Sequence, residues 1–515
     1  MISINQVPRR VSAFAGATAV WLLAACAVGP STAVTAATPS VAQTSDQAVT
    51  PAARTFFDSL ASARAADSIA PAPQSMVSQG QPPQKPIGAP RTLQLDAAHN
   101  LSWLEIVRDS TLAALIQTAV NNNRDLRVAQ ARIREYRALH GAAVGPFFPQ
   151  ITANGGASRN KIALAGGSPI KYDAISATAN VAWELDFWGR IRRGAQAANF
   201  DLLSHEEDAR ATELTLVSDV ATEYLQLREL DESMRIAEAT RAAGQAVLEL
   251  ARRRFAQGQI SELDVRQFEA QVADPAARLA QFALQRRQQE NALSLLLGEP
   301  PGSIPRGGPL QDVIQAVAIP DSLPGALIAR RPDVMRAQRD MQASLARIGV
   351  AEANRLPTIT VGGDYGSQRP EVNKLFTRPG EIYTLQAGLS FPLFTGGRLL
   401  NEERSARARA DESKAQYQQT VLTALREASD ALAGVRLGRD QLVAQQTQAR
   451  ALTIAASIAE RRYASGVSSY LEVLNAEQSL FNAQLNLVAV EQQYLTATVQ
   501  LYKALGGSWD GAGIR

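Results

Sequence analysis

Arg253-Arg254-Phe255-Ala256-Gln257-Gly258 and Arg461-Arg462-Tyr463-Ala464-Ser465-Gly466 are one phrase written twice, 208 positions apart. The same offset relates Asn123-Arg124-Asp125 to Arg331-Pro332-Asp333, and Phe148-Pro149-Gln150-Ile151-Thr152 to Leu356-Pro357-Thr358-Ile359-Thr360. It also relates Gly189-Arg190 to Gly397-Arg398, and Gly298 to Gly506. An offset that never drifts means two copies of one unit with little net insertion. Each copy reads helix, strand, strand, long helix, turn, helix. The copies span 101–300 and 321–506, with a linker at 301–320 and a tail at 507–515.

The strands are read from period-two alternation. Ile151, Ala153, Gly155 and Ala157 alternate with Thr152, Asn154, Gly156 and Ser158. Ile175, Ala177, Ala179, Val181, Trp183, Leu185 and Phe187 continue the phase in the second run. Copy two keeps it with Ile359, Val361 and Tyr365, then Tyr383, Leu385, Ala387, Leu389 and Phe391. The predicted hairpins are 150–188 and 358–396. Each run supplies the roughly 9–11 residues that a tilted transmembrane strand needs. Apolar-out, polar-in alternation suits a barrel with a wet interior. The competing reading is a pair of soluble hairpins with one buried face.

The helical arms are long. Arg190 to Gln257 contains no proline, and only Gly194 and Gly244 punctuate it. At about 1.5 Å per residue that is roughly 100 Å of helix. The predicted helical hairpins are 190–297 and 397–505. Leu214, Val217, Ala221, Tyr224 and Leu225 form one stripe, read as coiled-coil core. Pro275 lies inside a return arm and predicts a bend or break near Asp274.

Four strands per chain cannot close a barrel, and an open edge in lipid leaves backbone groups unpaired. Two chains give about eight strands, whose interior side chains fill. Three chains give twelve, the smallest count here that leaves an aqueous lumen. Strand count alone therefore predicts a homotrimer with a transmembrane β-barrel, in a mixed α and β chain whose long arms pair as antiparallel coiled coils.

Arg9 and Arg10 precede an apolar run from Val11 to Ala25, which reads as an export signal at 1–25. The run ends Leu23-Ala24-Ala25-Cys26, and Cys26 is the only cysteine in 515 residues. Small residues before a cysteine resemble a bacterial lipoprotein signal, so Cys26 is predicted to be acylated, with palmitate as a lipid. Residues 26–100 are rich in Ala, Ser, Thr, Gln and Pro and read as a flexible tether. With 52 Lys+Arg against 49 Asp+Glu, charge nearly cancels, and nucleic-acid binding is not suggested. One Cys and 3 His exclude a disulfide scaffold and any zinc site needing several such ligands. No nucleophile–base pair, P-loop or dinucleotide motif emerges, so no enzyme and no cofactor beyond the Cys26 lipid is expected.

The turns between arms are the candidate working sites: Gly258, Ser261, Leu263 and Asp264 in copy one, and Gly466, Ser469, Leu471 and Glu472 in copy two. In one reading, three chains bring six tip carboxylates to one level, as part of a gate or a cation-selective ring. In the other, Ser-x-x-Asp and Ser-x-x-Glu are capping boxes. Gly258 and Gly466 should end their helices in the left-handed region. Arg253, Arg254, Arg461 and Arg462 either tie the tip carboxylates shut or complement helix C-termini. Trp183, Phe187 and Trp188 suit an interfacial aromatic belt or strand-to-helix packing.

The chain resembles the TolC-like and OprM-like outer membrane factors of bacterial tripartite efflux pumps, in their lipoprotein branch. The likeness rests on Cys26, Val28, Gly29 and Pro30, on Leu115-Ile116, Ala119 and Asn121 to Leu126, and on Ala329-Arg330-Arg331-Pro332-Asp333-Val334. Ile348-Gly349, Leu356-Pro357 and Gly396-Gly397-Arg398 add to it. The resemblance implies a trimer with a twelve-stranded barrel in the outer membrane and a helical barrel across the periplasm. It also implies a periplasmic adaptor (membrane fusion protein) and an inner-membrane transporter of the resistance-nodulation-division type that supplies the energy. Small molecules such as drugs are the expected cargo, and a duct for type I protein secretion is the alternative. The segment after Pro30 is longer and richer in Pro and Ala than the family pattern.

Overall fold

A computed structural model describes residues 107–162, 169–314 and 328–507. The signal, Cys26, the tether, His99 and most of the tail lie outside the described residues. In chain order the elements are α1 (Ser110–Asn122), α2 (Arg124–Val144), β1 (Gln150–Ile162), β2 (Ile170–Leu185), α3 (Arg190–Ala256) and α4 (Glu262–Leu296). Then come α5 (Pro332–Ala353), β3 (Thr358–Arg369), β4 (Glu381–Ser390), α6 (Arg398–Ala464) and α7 (Tyr470–Ala504). Both α3 and α6 have 67 residues, and both α4 and α7 have 35. The described chain forms two compact units.

One unit, from 132–206 and 336–418, holds the sheet. Its order is β1-β2-β3-β4, antiparallel throughout. The register places Ile151 opposite Val181, Trp183 opposite Val361, and Ile359 opposite Leu389. Strand residues alternate between faces, so the predicted apolar rows merge into one apolar face. Thr152, Asn180, Asp364 and Thr384 follow one another across the other face, where Asn180 Nδ2 donates to Asp364 Oδ1 at 2.8 Å. On the apolar face Ile151, Tyr383, Leu385 and Leu389 are 71–84% exposed. A continuous apolar face this open marks contact with lipid or protein. It does not fit two soluble hairpins that each bury one side.

Helix entry from the sheet is built locally. Asp186 accepts from Ile191 N and Arg192 N at 3.0 and 2.8 Å, capping α3. Gly189 and Gly397 both have φ of 80°, which a side chain would strain. Trp188 donates its indole N–H to Pro357 O at 2.7 Å, and so serves strand-to-helix packing. Trp183 donates to Phe147 O at 3.1 Å but, like Phe187, stays more than one-third exposed, as a belt residue would.

The other unit carries the main core. Leu112, Leu115 and Ile116 of α1 pack with Val217, Ala221, Tyr224 and Leu225 of α3, Leu293 of α4 and Val499 of α7. The predicted stripe is thus core, with Leu214 at its margin. Tyr224 Oη donates to Asp109 Oδ2 at 2.9 Å and accepts from Gly307 N at 2.8 Å. Burial, above all, pushes its phenol up to about 12. Arg331 sits just before Pro332, the first residue of α5, and its guanidinium reaches Asp333, Glu427 and the Ala504 carbonyl at 2.7–3.0 Å.

The structure corrects two sequence expectations. The single helix expected at the start of copy one is split: Asn123 Oδ1 accepts from Asp125 N and Leu126 N, ending α1 and starting α2. Its Nδ2 also donates to Leu296 O at 3.0 Å. Of the bend or break expected near Asp274, the break does not occur, since α4 runs through Pro275. Proline removes one bond from a 35-residue helix, and its ring is buried. Tertiary packing here outweighs the helix propensity penalty of about 3 kcal/mol. The linker region is also held: Ile304, Leu310, Val313 and Ile314 are buried, and Arg108 N donates to Val313 O.

Candidate functional site

Both turns between long arms end α3 and α6 the same way. Gly258 and Gly466 have φ of 73° and 76°. Gly258 N donates to Phe255 O and Gln259 N to Arg254 O; Gly466 N donates to Tyr463 O and Val467 N to Arg462 O. These pairs form a Schellman cap at each tip, as left-handed glycine predicts.

The return helices start differently. In copy one Asp264 N donates to Ser261 Oγ at 3.3 Å, while Ser261 N donates to Asp264 Oδ2 at 2.9 Å. That is the capping box. In copy two Ser469 caps α7 without a side-chain bond. Glu472 instead lies 3.3 Å from Arg462 Nε. The shared spacing therefore serves two purposes: capping holds Asp264, and a cation holds Glu472. Leu263 and Leu471 project from the turns, 66 and 54% exposed.

Two of the four tip arginines meet side chains from beyond their own helical turn. Arg462 pairs with Glu472 of the following helix in the same hairpin. Arg254 donates to Tyr463 Oη at 3.1 Å and lies 5.6 Å from that ring's centre. Arg253 and Arg461 sit in the last helical turns, where cations complement the helix dipole.

Behind the turns the arms meet in a small apolar cluster. Leu248, Ala251, Val265 and Phe268 pack with Ala459, Tyr470 and Val473. The Phe268 and Tyr470 rings are 3.7 Å apart, and Tyr463 and Tyr470 are 5.4 Å apart. Burial, helped by nearby Glu477 and Tyr463, raises the Tyr470 phenol. Gln271 Nε2 donates to Glu477 Oε2 at 2.9 Å. Burial and the like charge of Glu460 raise the Glu477 carboxyl. Phe268, Gln271, Tyr463, Tyr470 and Glu477 were missed as site residues. Their signal was available: Tyr463 replaces Phe255 and Tyr470 replaces Glu262 at the fixed offset.

Comparisons with known proteins agree with this architecture. The sequence profile described as outer membrane efflux protein matches residues 115–299 and again 323–507, one match per copy. The chain is 34% identical over 445 residues to the antibiotic efflux pump outer membrane protein ArpC of Pseudomonas putida, covering 85% of this chain and 91% of that protein. It is 34% identical over 434 residues to the toluene efflux pump outer membrane protein TtgC, also of Pseudomonas putida, covering 83% and 89%. Among solved structures, CusC superposes with a TM-score of 0.75 at 29% identity, covering 84% of this chain and all of that one. The outer membrane protein VceC of Vibrio cholerae gives 0.74 at 27%, covering 79% and 99%.

Proposed function

The chain belongs to the outer membrane efflux protein family, and from that premise we propose that three copies form a passive outer-membrane duct for small molecules. The observation that carries this is the sheet: four antiparallel strands, one face apolar and open, the other polar. Three such sheets make twelve strands, whose polar faces line a wet interior while the apolar faces meet lipid. The long arms continue the conduit as an α-helical barrel through the periplasm.

The tips engage a periplasmic adaptor, which couples the duct to an inner-membrane transporter of the resistance-nodulation-division type. Exposed Leu263, Val467 and Leu471 are apolar groups on offer there. The chain itself performs no chemistry, and energy comes from the transporter. Cys26, after signal cleavage, carries acyl chains that anchor the tether in the outer membrane. Relatives named for antibiotic and toluene efflux support a cargo of small apolar or amphiphilic compounds.

The test is accumulation of dyes, antibiotics and solvents in cells lacking the chain against complemented cells. Raised accumulation that complementation reverses is the expected result. No change for any compound, with loss of a secreted protein instead, would favour the protein-secretion duct and sink the small-molecule reading. Replacing Cys26 by Ala should leave a trimer that still needs detergent; a freely soluble product would contradict the barrel.

A further inference from the structure

The charges of the four strands are sorted by face. Strand residues alternate between faces, so Glu184 and Asp364 stand on the polar face, where Glu184 pairs with Arg190 at 2.6 Å. Arg159, Lys161, Lys171, Asp173, Arg369 and Glu381 stand on the apolar face, with Ile151, Val181 and Ile359. They gather at the hairpin turns, opposite the end where α3 and α6 begin. From Ile359 to Arg369 the strand covers about 34 Å at about 3.4 Å per residue. Tilted by about 40°, it rises about 26 Å, close to the height of a lipid-facing band. In the barrel reading these cations therefore stand at the headgroup level of the leaflet away from the periplasm. Among the described residues no strand cation is on the polar face, so none of them is placed to meet cargo.

Their pairing is incomplete. Arg159 binds Asp173 at 2.7 Å, and Glu381 accepts from Tyr365 Oη at 2.8 Å. Among the described residues no carboxylate pairs with Lys161, Lys171, Arg369 or Arg378. Lys161 stands directly opposite Lys171, and both are exposed. Like charges so placed destabilise a sheet unless an anion lies between them. Snorkelling to an interface explains one lysine here but not two in opposition. Ser367 Oγ and Arg369 Nε, which flank Gly380, are buried without a hydrogen-bond partner. Unmet polar atoms of this kind call for an explanation, and an absent acceptor supplies one.

A cavity of about 430 Å³ lies beside these groups, within the size range of ligand sites. Ala153, Ala177, Ala179 and Tyr365 line it, and Phe376 and Arg378 of the β3–β4 connection reach it. A second cavity of about 440 Å³ shares Ala179 and Tyr365 with the first and continues over Gly363, bordered by Trp183 and Tyr383. Together they make a largely apolar groove that runs from the cations toward Trp183. We propose that this groove holds the acyl chains of a polyanionic glycolipid of the outer leaflet, with one phosphate at Arg369 and Arg378 and a second at Lys161 and Lys171. The proposal rests on the membrane-barrel reading above. From Ile175, opposite Arg369, to Lys171 is about 14 Å along β2. One phosphate cannot bridge that span, so the ligand carries at least two. Guanidinium groups offer paired N–H donors to the first, and opposed ammonium groups offer point charges to the second.

The test uses the full-length chain, extracted from outer membranes in mild detergent and stripped of lipid by repeated detergent exchange. Native mass spectrometry then measures binding of diphosphoryl lipid A, monophosphoryl lipid A, phosphatidylglycerol and inorganic phosphate. Diphosphoryl lipid A should bind saturably and about tenfold or more tighter than the other two lipids, the share of one charge-assisted contact. Arg378→Gln should remove that preference, and so should Lys161→Gln combined with Lys171→Gln. Ala179→Phe, at the residue the two cavities share, should weaken all three lipids. The charge variants change exposed strand ends and a connection, so one set decides if the other fails to assemble. Equal binding of the diphosphoryl and monophosphoryl forms, or an unchanged preference in the charge variants, overturns the proposal. Inorganic phosphate that displaces diphosphoryl lipid A at equal concentration would make this a free-anion site and overturn the lipid assignment. A chain that stays in solution without detergent would instead overturn the barrel reading itself.

Discussion

Glu269 and Glu477 hold the same place in the two copies, yet their carboxyls are pushed in opposite directions. Hydrogen bonds from Arg252 and Arg266 hold Glu269 below the ordinary carboxylate range. At the fixed offset those arginines become Glu460 and Leu474. Glu477 therefore loses both cations, gains a like charge and is more buried, and its carboxyl rises. The neighbouring position shows the same divergence: exposed Glu262 in copy one is buried Tyr470 in copy two. Duplication preserved the backbone, including both glycine caps, while the side chains at positions 262 and 269 are more open to solvent than their copy-two equivalents, Tyr470 and Glu477.

Removing the packing residue should break the comparison most visibly. Tyr470→Ala should cost about 3–5 kcal/mol of arm stability, as truncating a buried aromatic does. Glu262→Ala, which loses only an exposed pair with Arg266 at 3.1 Å, should cost under about 1 kcal/mol. Hydrogen exchange at the tips reads both, and equal protection losses would refute the asymmetry. Where the copies agree, substitutions must agree too. Gly258→Ala and Gly466→Ala should each cost about 1–2 kcal/mol, because both glycines have positive φ. A one-sided effect would mean that the caps are not equivalent.

The helix starts give a smaller contrast. Ser261→Ala should cost about 1 kcal/mol in the first turn of α4. Ser469→Ala should cost only a few tenths, because Ser469 makes no side-chain cap bond. Smallest is the response to pH, whose sign differs between copies. A raised carboxyl favours the protonated form on folding, so the Glu477 contribution falls as pH climbs through the raised pKa. The lowered Glu269 carboxyl gives stability above the ordinary 4.5 that is lost as pH falls. Glu477→Gln should therefore protect the arm at neutral pH, and Glu269→Gln should loosen it. Thermal melts of the two variants at acid and neutral pH check the crossing.

Period two and the constant offset made the strands, the long arms and the capping glycines legible, because each follows from local geometry. Asn123 was not legible as a break: its Oδ1 caps α2 locally, and its Nδ2 is held by Leu296 O from a helix 173 residues away. Pro275 misled for the converse reason, since local propensity predicts a break that packing overrides. At the tips a shared Ser-x-x-acid spacing hid two different uses. Comparing the copies residue by residue at positions 252, 262 and 266 would have revealed the divergence. The lipid anchor at Cys26 was read from sequence and lies outside the described residues.

Arg331 has a consequence for biosynthesis. Its guanidinium, beside the first turn of α5, waits for the carbonyl of Ala504, which the ribosome makes 173 residues later. Asp333 and Glu427 are made sooner, but the clamp is complete only once Ala504 has been made. A chain cut short before Ala504 therefore leaves a buried donor unmet. Such a product should be degraded faster than the full-length chain in a pulse-chase.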